Sequence, residues 1–250
     1  MSDWLTPVRR ALEGLPRAVP IFFRDDDAGW DDARLFQLLD RFAAHRMPID
    51  LAVIPDALTL ALAKSLLARR TEAGGRLGMH QHGWTHRNHQ PAGRSCEFGP
   101  ARTPAEIRHD LRAGRARLAD HLGVAVDPIF TPPWNRCSEE TGRAVRELEF
   151  VALSRDRTAP PFALPGLLEL PIAVDWFAKR SGLRLEPTAF GALLAQALSS
   201  SGPIGIMLHH AVTTPSDFQR IEQLLVLLVG HPRVRPTAMM ALLAERMVAA

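Results

Sequence analysis

Three short stretches of this chain hold residue types that can do chemistry together: Asp25-Asp26-Asp27 after an apolar run, His82-Gly83-Trp84-Thr85-His86, and Leu208-His209-His210. Two imidazoles four residues apart can be aimed at one ion by a helical turn or a compact loop, and one aspartate completes three ligands for a divalent metal. A second aspartate is then free to act as base and a further histidine as acid. Three carboxylates ending a buried strand repel one another and lose solvation unless a cation or an arginine offsets them. The set suits metal-assisted hydrolysis. Plainer readings exist for each part: an Asp-rich turn capping a helix near Trp30 and Asp31, a hydrogen-bonded polar loop from His80 to His89, and a core histidine after an apolar strand.

Two further stretches could serve the same site. Phe130-Thr131-Pro132-Pro133-Trp134-Asn135-Arg136 reads as a strand running into a proline-stiffened backbone, which would leave the Trp134 amide available to a developing oxyanion. Asp175-Trp176 offers a carboxylate and an indole wall.

Short apolar runs, each followed by turn residues and then helical periodicity, recur along the chain in the pattern of βα units. Seven strands are expected, at Val19 to Arg24, Ile49 to Ile54, Leu77 to Gln81, Pro128 to Thr131, Phe150 to Ser154, Leu168 to Val174 and Ile204 to Leu208. Thr103-Pro104-Ala105-Glu106 is a capping box ahead of the apolar stripe Ile107, Leu111, Leu118, Leu122,. Ser216 with Gln219 is expected to open a second such helix, through Ile221, Leu224, Leu225 and Leu228 to about Gly230,. Every reactive stretch falls at the carboxyl end of an expected strand. In a parallel barrel those ends share one rim, so the residues would converge.

The bulk properties leave room for such a barrel. The chain has 250 residues, 46% of them hydrophobic, and no linker or low-complexity run divides it, so one domain over 1–250 is expected. No stretch approaches a membrane span. The start lacks a secretory signal, which makes cytoplasmic residence the expectation and leaves Cys96 and Cys137 as reduced thiols,. Net charge is +3; of 30 basic residues only Lys64 and Lys179 are lysine, and the arginines are dispersed among acids. With no tyrosine and no basic segment interleaved with aromatics, nucleic-acid binding is not expected.

Taken in order, the DDD, HGWTH, TPPW, DW and LHH segments resemble the five motifs of the polysaccharide deacetylase family, carbohydrate esterase family 4, also called the NodB-homology domain. The resemblance runs from Arg24 to His210. It implies an α/β fold, a distorted (β/α) barrel of seven parallel strands. It also implies metal-dependent removal of an N-acetyl group from a saccharide or related N-acetylated compound. Carried over residue by residue, Asp27, His82 and His86 resemble the metal ligands and Asp26 the catalytic base, the alternative register being Asp25 and Asp26. Trp134 resembles the residue whose amide binds the oxyanion, beside Pro133, and Trp176 the aromatic that walls the acetyl pocket. The family's last motif, Leu-x-His, selects Leu208 and the acid His210, and strand alternation from Ile206 favours the same choice; a Leu-His reading selects His209. Asp175 resembles the aspartate that orients the acid–base pair. The family's third-motif arginine, which tethers the base, is replaced here by Thr131, with Arg24, Arg102 or Arg136 as possible substitutes.

Two histidines and a carboxylate suit zinc and also accept cobalt, nickel, iron or manganese. A competing enzyme reading is an amidohydrolase-like or phosphoesterase barrel in which His80 and His82 form a His-x-His pair on one strand face. A third is a sugar-binding relative without hydrolysis. The expected partner is an N-acetylated saccharide or small molecule.

Overall fold

The computed structural model describes residues 3–248. Along the chain these form α1 (Thr6–Glu13), β1 (Val19–Ala28), α2 (Asp32–Ala44), β2 (Ile49–Val53), α3 (Leu60–Glu72), β3 (Leu77–His82), α4 (Pro104–Leu122), β4 (Asp127–Thr131), α5 (Glu139–Glu147), β5 (Ala152–Leu153), β6 (Leu168–Glu169), β7 (Ile172–Asp175), a small hairpin of β8 (Lys179–Arg180) and β9 (Leu183–Arg184), α6 (Pro187–Leu198), β10 (Ile204–Leu208), α7 (Pro215–Gly230), β11 (Val234–Pro236) and α8 (Met239–Val248).

The main sheet is ordered β6-β5-β4-β3-β2-β1-β10-β7, with β11 beside the start of β1, and every pairing in it is parallel. Its two end strands belong to one stretch of chain. The strand expected over Leu168 to Val174 breaks at Leu170 and Pro171: β6 pairs with β5 and β7 pairs with β10. Proline has no N–H to donate, so the ladder cannot run through it unbroken. The sheet thereby curls into a distorted (β/α) barrel whose seam is this broken strand. The short strand β11 and the β8–β9 hairpin were not expected from the sequence.

Strand alternation sorts the side chains into two layers. Ile21 and Phe23 of β1, Leu51 and Val53 of β2, Leu77 and Met79 of β3 and Ile204, Ile206 and Leu208 of β10 face the helices, where they form the large core with residues such as Leu35, Leu38, Leu194 and Leu224. Phe22, Ile129, Ala152 and Met207 belong to a separate core that also contains Met239, Leu242 and Leu243 of α8. That second cluster fills the barrel interior, and α8 plugs its floor. Helix α4 starts with the expected Thr103/Glu106 capping box. Helix α7 is capped two residues earlier than expected, by Thr214 with Asp217. Pro215 lacks an N–H and suits the first helical position, so the residue before it becomes the cap.

At the floor, the Met239 N–H donates to Asp50 Oδ2 at 3.0 Å and the Met79 N–H to Asp127 Oδ2 at 3.0 Å. Asp50 Oδ1 has no hydrogen-bond partner. Burial, aided by the neighbouring Asp127 charge, pushes the Asp50 carboxyl up to about 8,. A carboxyl raised on folding favours the protonated folded state, so its contribution is complete below the unfolded value near pH 4 and is lost as pH rises through 8. The Asp50→Asn variant keeps the acceptor for Met239 without this titration. Urea denaturation should show the variant gaining on wild type by ~1.4 kcal/mol per pH unit between those limits; parallel pH profiles would refute the assignment.

No helix among the described residues is long and apolar enough to cross a membrane.

Candidate metal centre and its acid–base partners

The three aspartates of β1 point in three different directions. Asp26 follows Arg24 on the inner face. Asp27 lies in a β-bulge, where the β1–β2 register shifts between Asp25 and Ala28 and its own φ is 70°. The left-handed residue swings its side chain off the strand's alternation toward the rim. Asp25 stays on the helix side, in register with Leu208.

Asp27 meets both expected histidines. Its Oδ1 lies 3.2 Å from His82 Nε2 and 3.1 Å from His86 Nε2, and the three ligating atoms all lie within 4.8 Å of one another. Ligand atoms about 2.0–2.2 Å from a shared ion would have such separations. His82 ends β3, with Nδ1 3.0 Å from the Thr131 carbonyl oxygen. If Nδ1 carries the proton, that bond leaves the Nε2 lone pair toward Asp27, as metal-binding histidines require. Two imidazole nitrogens and a carboxylate oxygen within reach of one point are a donor set that fits a divalent cation,. Asp27 and His86 keep side-chain exposures of 13% and 10% against 1% for His82, so the cluster opens to solvent on one side.

His82 and His86 are joined by a loop, not a helical turn. Gly83 has a φ of 58°, and a Cβ there would lie 2.6 Å from Pro133 Cγ, which excludes other residues. The buried Glu97 holds the loop from beneath, accepting from Trp84 N at 3.2 Å, Thr85 N at 2.8 Å and Thr85 Oγ1 at 3.1 Å. Its role was not foreseen, because nothing local in the sequence ties position 97 to position 85. The His86 ring sits between Trp134 and Trp30, with centroids 4.5 and 4.8 Å away. Trp134 itself has a left-handed backbone, φ 56°.

Asp26 is fully buried beneath this cluster, gripped by Arg24 through Nε at 2.7 Å and Nη2 at 2.8 Å. The guanidinium is fixed in turn by Ser154 Oγ at 2.7 Å and Asn135 Oδ1 at 2.6 Å. Burial opposes ionisation of Asp26, but the Arg24 guanidinium paired with it outweighs that and holds the carboxyl below its usual range,. Of the three arginines considered as tethers, Arg24 is the one that pairs with Asp26. Arg102 pairs with Asp110 instead.

Strand β10 divides the tandem histidines. Ile206 and Leu208 face the helix-side core while Met207 faces the interior, so His209 continues on the inner face and His210 on the outer one. His210 is completely buried: its N–H donates to Asp25 Oδ1 at 3.0 Å, Nδ1 lies 2.6 Å from Asp25 Oδ2, and Nε2 lies 2.5 Å from the Trp30 carbonyl oxygen. Burial works against its charge, yet the Asp25 carboxylate pushes the imidazole up to about 9. With both nitrogens engaged and its ring turned to the helices, His210 does not face Asp26 or Asp27. The alternation from Ile206 had the right phase, but that phase marks the packed face. His209 is partly exposed, and its charge bears on Asp26, Asp27 and Asp175.

Asp175 stands beside Met207 in the β7–β10 register. Burial raises its carboxyl, with His209 opposing. The expected substrate contacts lie elsewhere. Trp176 is buried in the helix-side core against Trp4 and Phe190, its Nε1 3.2 Å from Asp217 Oδ1. Leu208 is in the same core, and Pro133 is buried against Gly83. Besides Trp134, the aromatic rings that border the site are Trp30, 41% exposed, and Phe177, 6.0 Å from the His209 ring. His80 lies deeper on the inner face of β3, its Nε2 2.8 Å from Thr131 Oγ1, and burial drives it down to about 3. It is not among the three clustered ligands.

No family model and no curated protein matches the sequence. The fold, however, is that of the polysaccharide deacetylases and family 4 carbohydrate esterases. A Mycobacterium smegmatis protein assigned as a polysaccharide deacetylase superposes with a TM-score of 0.72 at 16% identity, covering 94% of this chain and 92% of its own. A family 4 acetyl xylan esterase from Clostridium thermocellum, solved with a cobalt ion, gives 0.61 at 13% identity over 91% and 92%. A family 4 pseudoenzyme from Bacillus anthracis gives 0.60 at 15% identity over 92% and 66%.

Proposed function

We propose that this protein is a metal-dependent deacetylase that hydrolyses an N-acetyl group on a saccharide or related compound. The observation that carries the proposal is the meeting of Asp27, His82 and His86 at one point beside a base, Asp26, held ionised by a buried arginine. Zinc suits two imidazoles and a carboxylate, and cobalt, nickel, iron and manganese are accepted by the same set. A divalent ion there supplies Lewis acidity and lowers the pKa of a water.

The remaining steps belong to the chain's own groups. Asp26 takes a proton from water as its oxygen attacks the acetyl carbon. Arg24 keeps that carboxylate ionised and aimed, since two parallel hydrogen bonds fix its plane,. The Trp134 amide, presented by its left-handed turn, donates to the developing oxyanion, a contribution of ~3 kcal/mol for one such donor. His209 gives a proton to the departing nitrogen as the C–N bond breaks, and Asp175 supports the protonated imidazole. Acetate and a free amine result. The acid role passes from His210 to His209 because only His209 lies on the inner face.

Metal-loaded protein incubated with N-acetylated saccharides should release acetate. Chelation should stop the release, and added zinc or cobalt should restore it. Saccharide binding without acetate at full metal occupancy would refute hydrolysis in favour of a non-catalytic relative.

A further inference from the structure

A cleft of about 670 Å³ adjoins the proposed acetyl site. Asn135 forms the link, because it lines the cleft and also accepts from the Arg24 that holds Asp26. The other wall residues of interest are Arg94, Arg136, Arg155, Gln90 and Phe162. Their hydrogen-bonding capacity is one-sided. Among the described residues neither Arg94 nor Arg136 is paired with a carboxylate. Arg136 spends one Nη1 bond on the Ser95 carbonyl. Arg155 is 4% exposed, lies flat on the Phe162 ring and pairs with Glu169, yet its Nε has no partner. Gln90 Nε2 is likewise buried and unpartnered. The acids nearby are already engaged: Glu169 with Arg155, Glu139 with Arg143 on the cleft edge, and Asp156 with the Thr158 amide.

Arg94, Arg136 and Arg155 against the single carboxylate of Glu139 give the cleft lining an excess of positive charge, and the buried donors at 155 and 90 beside it have no partner of their own. Burial and the adjacent Arg94 charge destabilise protonated Arg136 by more than nearby Asp156 supports it, a cost that a bound anion would offset. Planar guanidinium forks match the oxygens of phosphate or carboxylate. We propose that this cleft is a substrate subsite for an anionic group, so that the compound acted on carries a phosphate or carboxylate near its acetamido nitrogen. The inference rests on the deacetylase reading and narrows its substrate class.

The test is calorimetric binding to the metal-loaded protein of three probes: N-acetylglucosamine, its 1-phosphate, and N-acetylmuramic acid, which carries a carboxylate. Acetate release is measured in parallel. One or both anionic probes should bind roughly 10- to 100-fold more tightly than the neutral sugar, the span expected of charged hydrogen bonds. Which of the two is preferred identifies the anion. Arg136→Ala should bring the ratio close to one with metal content unchanged, and Arg136→Lys should restore part of it. Arg94→Glu, at an exposed position that the fold does not depend on, should depress it too. Equal affinity for all three probes, or a preference that survives both Arg136→Ala and Arg94→Glu, would overturn the subsite. The deacetylase reading fails separately: acetate from every probe without preference leaves it standing, whereas anion preference without any acetate leaves the subsite and removes the hydrolysis.

Discussion

Replacing His82 or His86 by alanine is expected to remove bound metal and acetate release together, while Asp26→Asn is expected to keep the metal and lose turnover by a factor of roughly 10² to 10⁴. The distinction follows from where the side chains point. His82 and His86 each direct Nε2 at the same Asp27 oxygen, so either truncation leaves two ligands for an ion that needs at least three from the protein. Asp26 spends its oxygens on Arg24 and is not in the ligand cluster. An asparagine there keeps one acceptor for the guanidinium but cannot take up a proton. Metal stoichiometry by elemental analysis, measured alongside turnover, separates the two classes. Full metal occupancy in His82→Ala and His86→Ala would end the assignment of the centre.

His209→Ala and His210→Ala should fail in opposite ways. In the proposed mechanism His209 is the proton donor on the inner face, so its loss should lower turnover by about 10²- to 10⁴-fold with melting temperature held. Loss of His210 leaves Asp25 buried opposite a void, an uncompensated charge of the kind that costs about 3–5 kcal/mol,. For a chain of this length that is a melting temperature lower by roughly 10 °C. Thermal unfolding and initial rates on both variants decide the matter. A stable, inactive His210→Ala beside an active His209→Ala would return the acid role to His210.

The difference between these two histidines shows what could be read along the chain and what could not. Strand positions were legible because apolar runs of β1, β2, β3, β4 and β10 coincide with buried segments, and burial is what apolar residues dictate. The alternation through Ile206 and Leu208 was legible too. Which face of an all-buried strand looks inward was not, since both faces are apolar and only packing by the helices outside and α8 inside tells them apart. Trp176 was misplaced for the same reason: an indole after a strand serves a pocket or a core equally well by composition. The Asp27 ligand position depends on a bulge, a backbone event with no side-chain signature here. Arg24 was within reach, because two residues of strand put it on the face of Asp26. Glu97 was not, since its partners are backbone amides twelve and thirteen residues away.

The helix that stoppers the barrel floor has a consequence for traffic. With Met239, Leu242 and Leu243 packed against Phe22 and Met207, that end of the barrel is closed. Any compound reaching Asp27 and His86 would therefore come in from the opposite rim, where those two side chains keep their exposure.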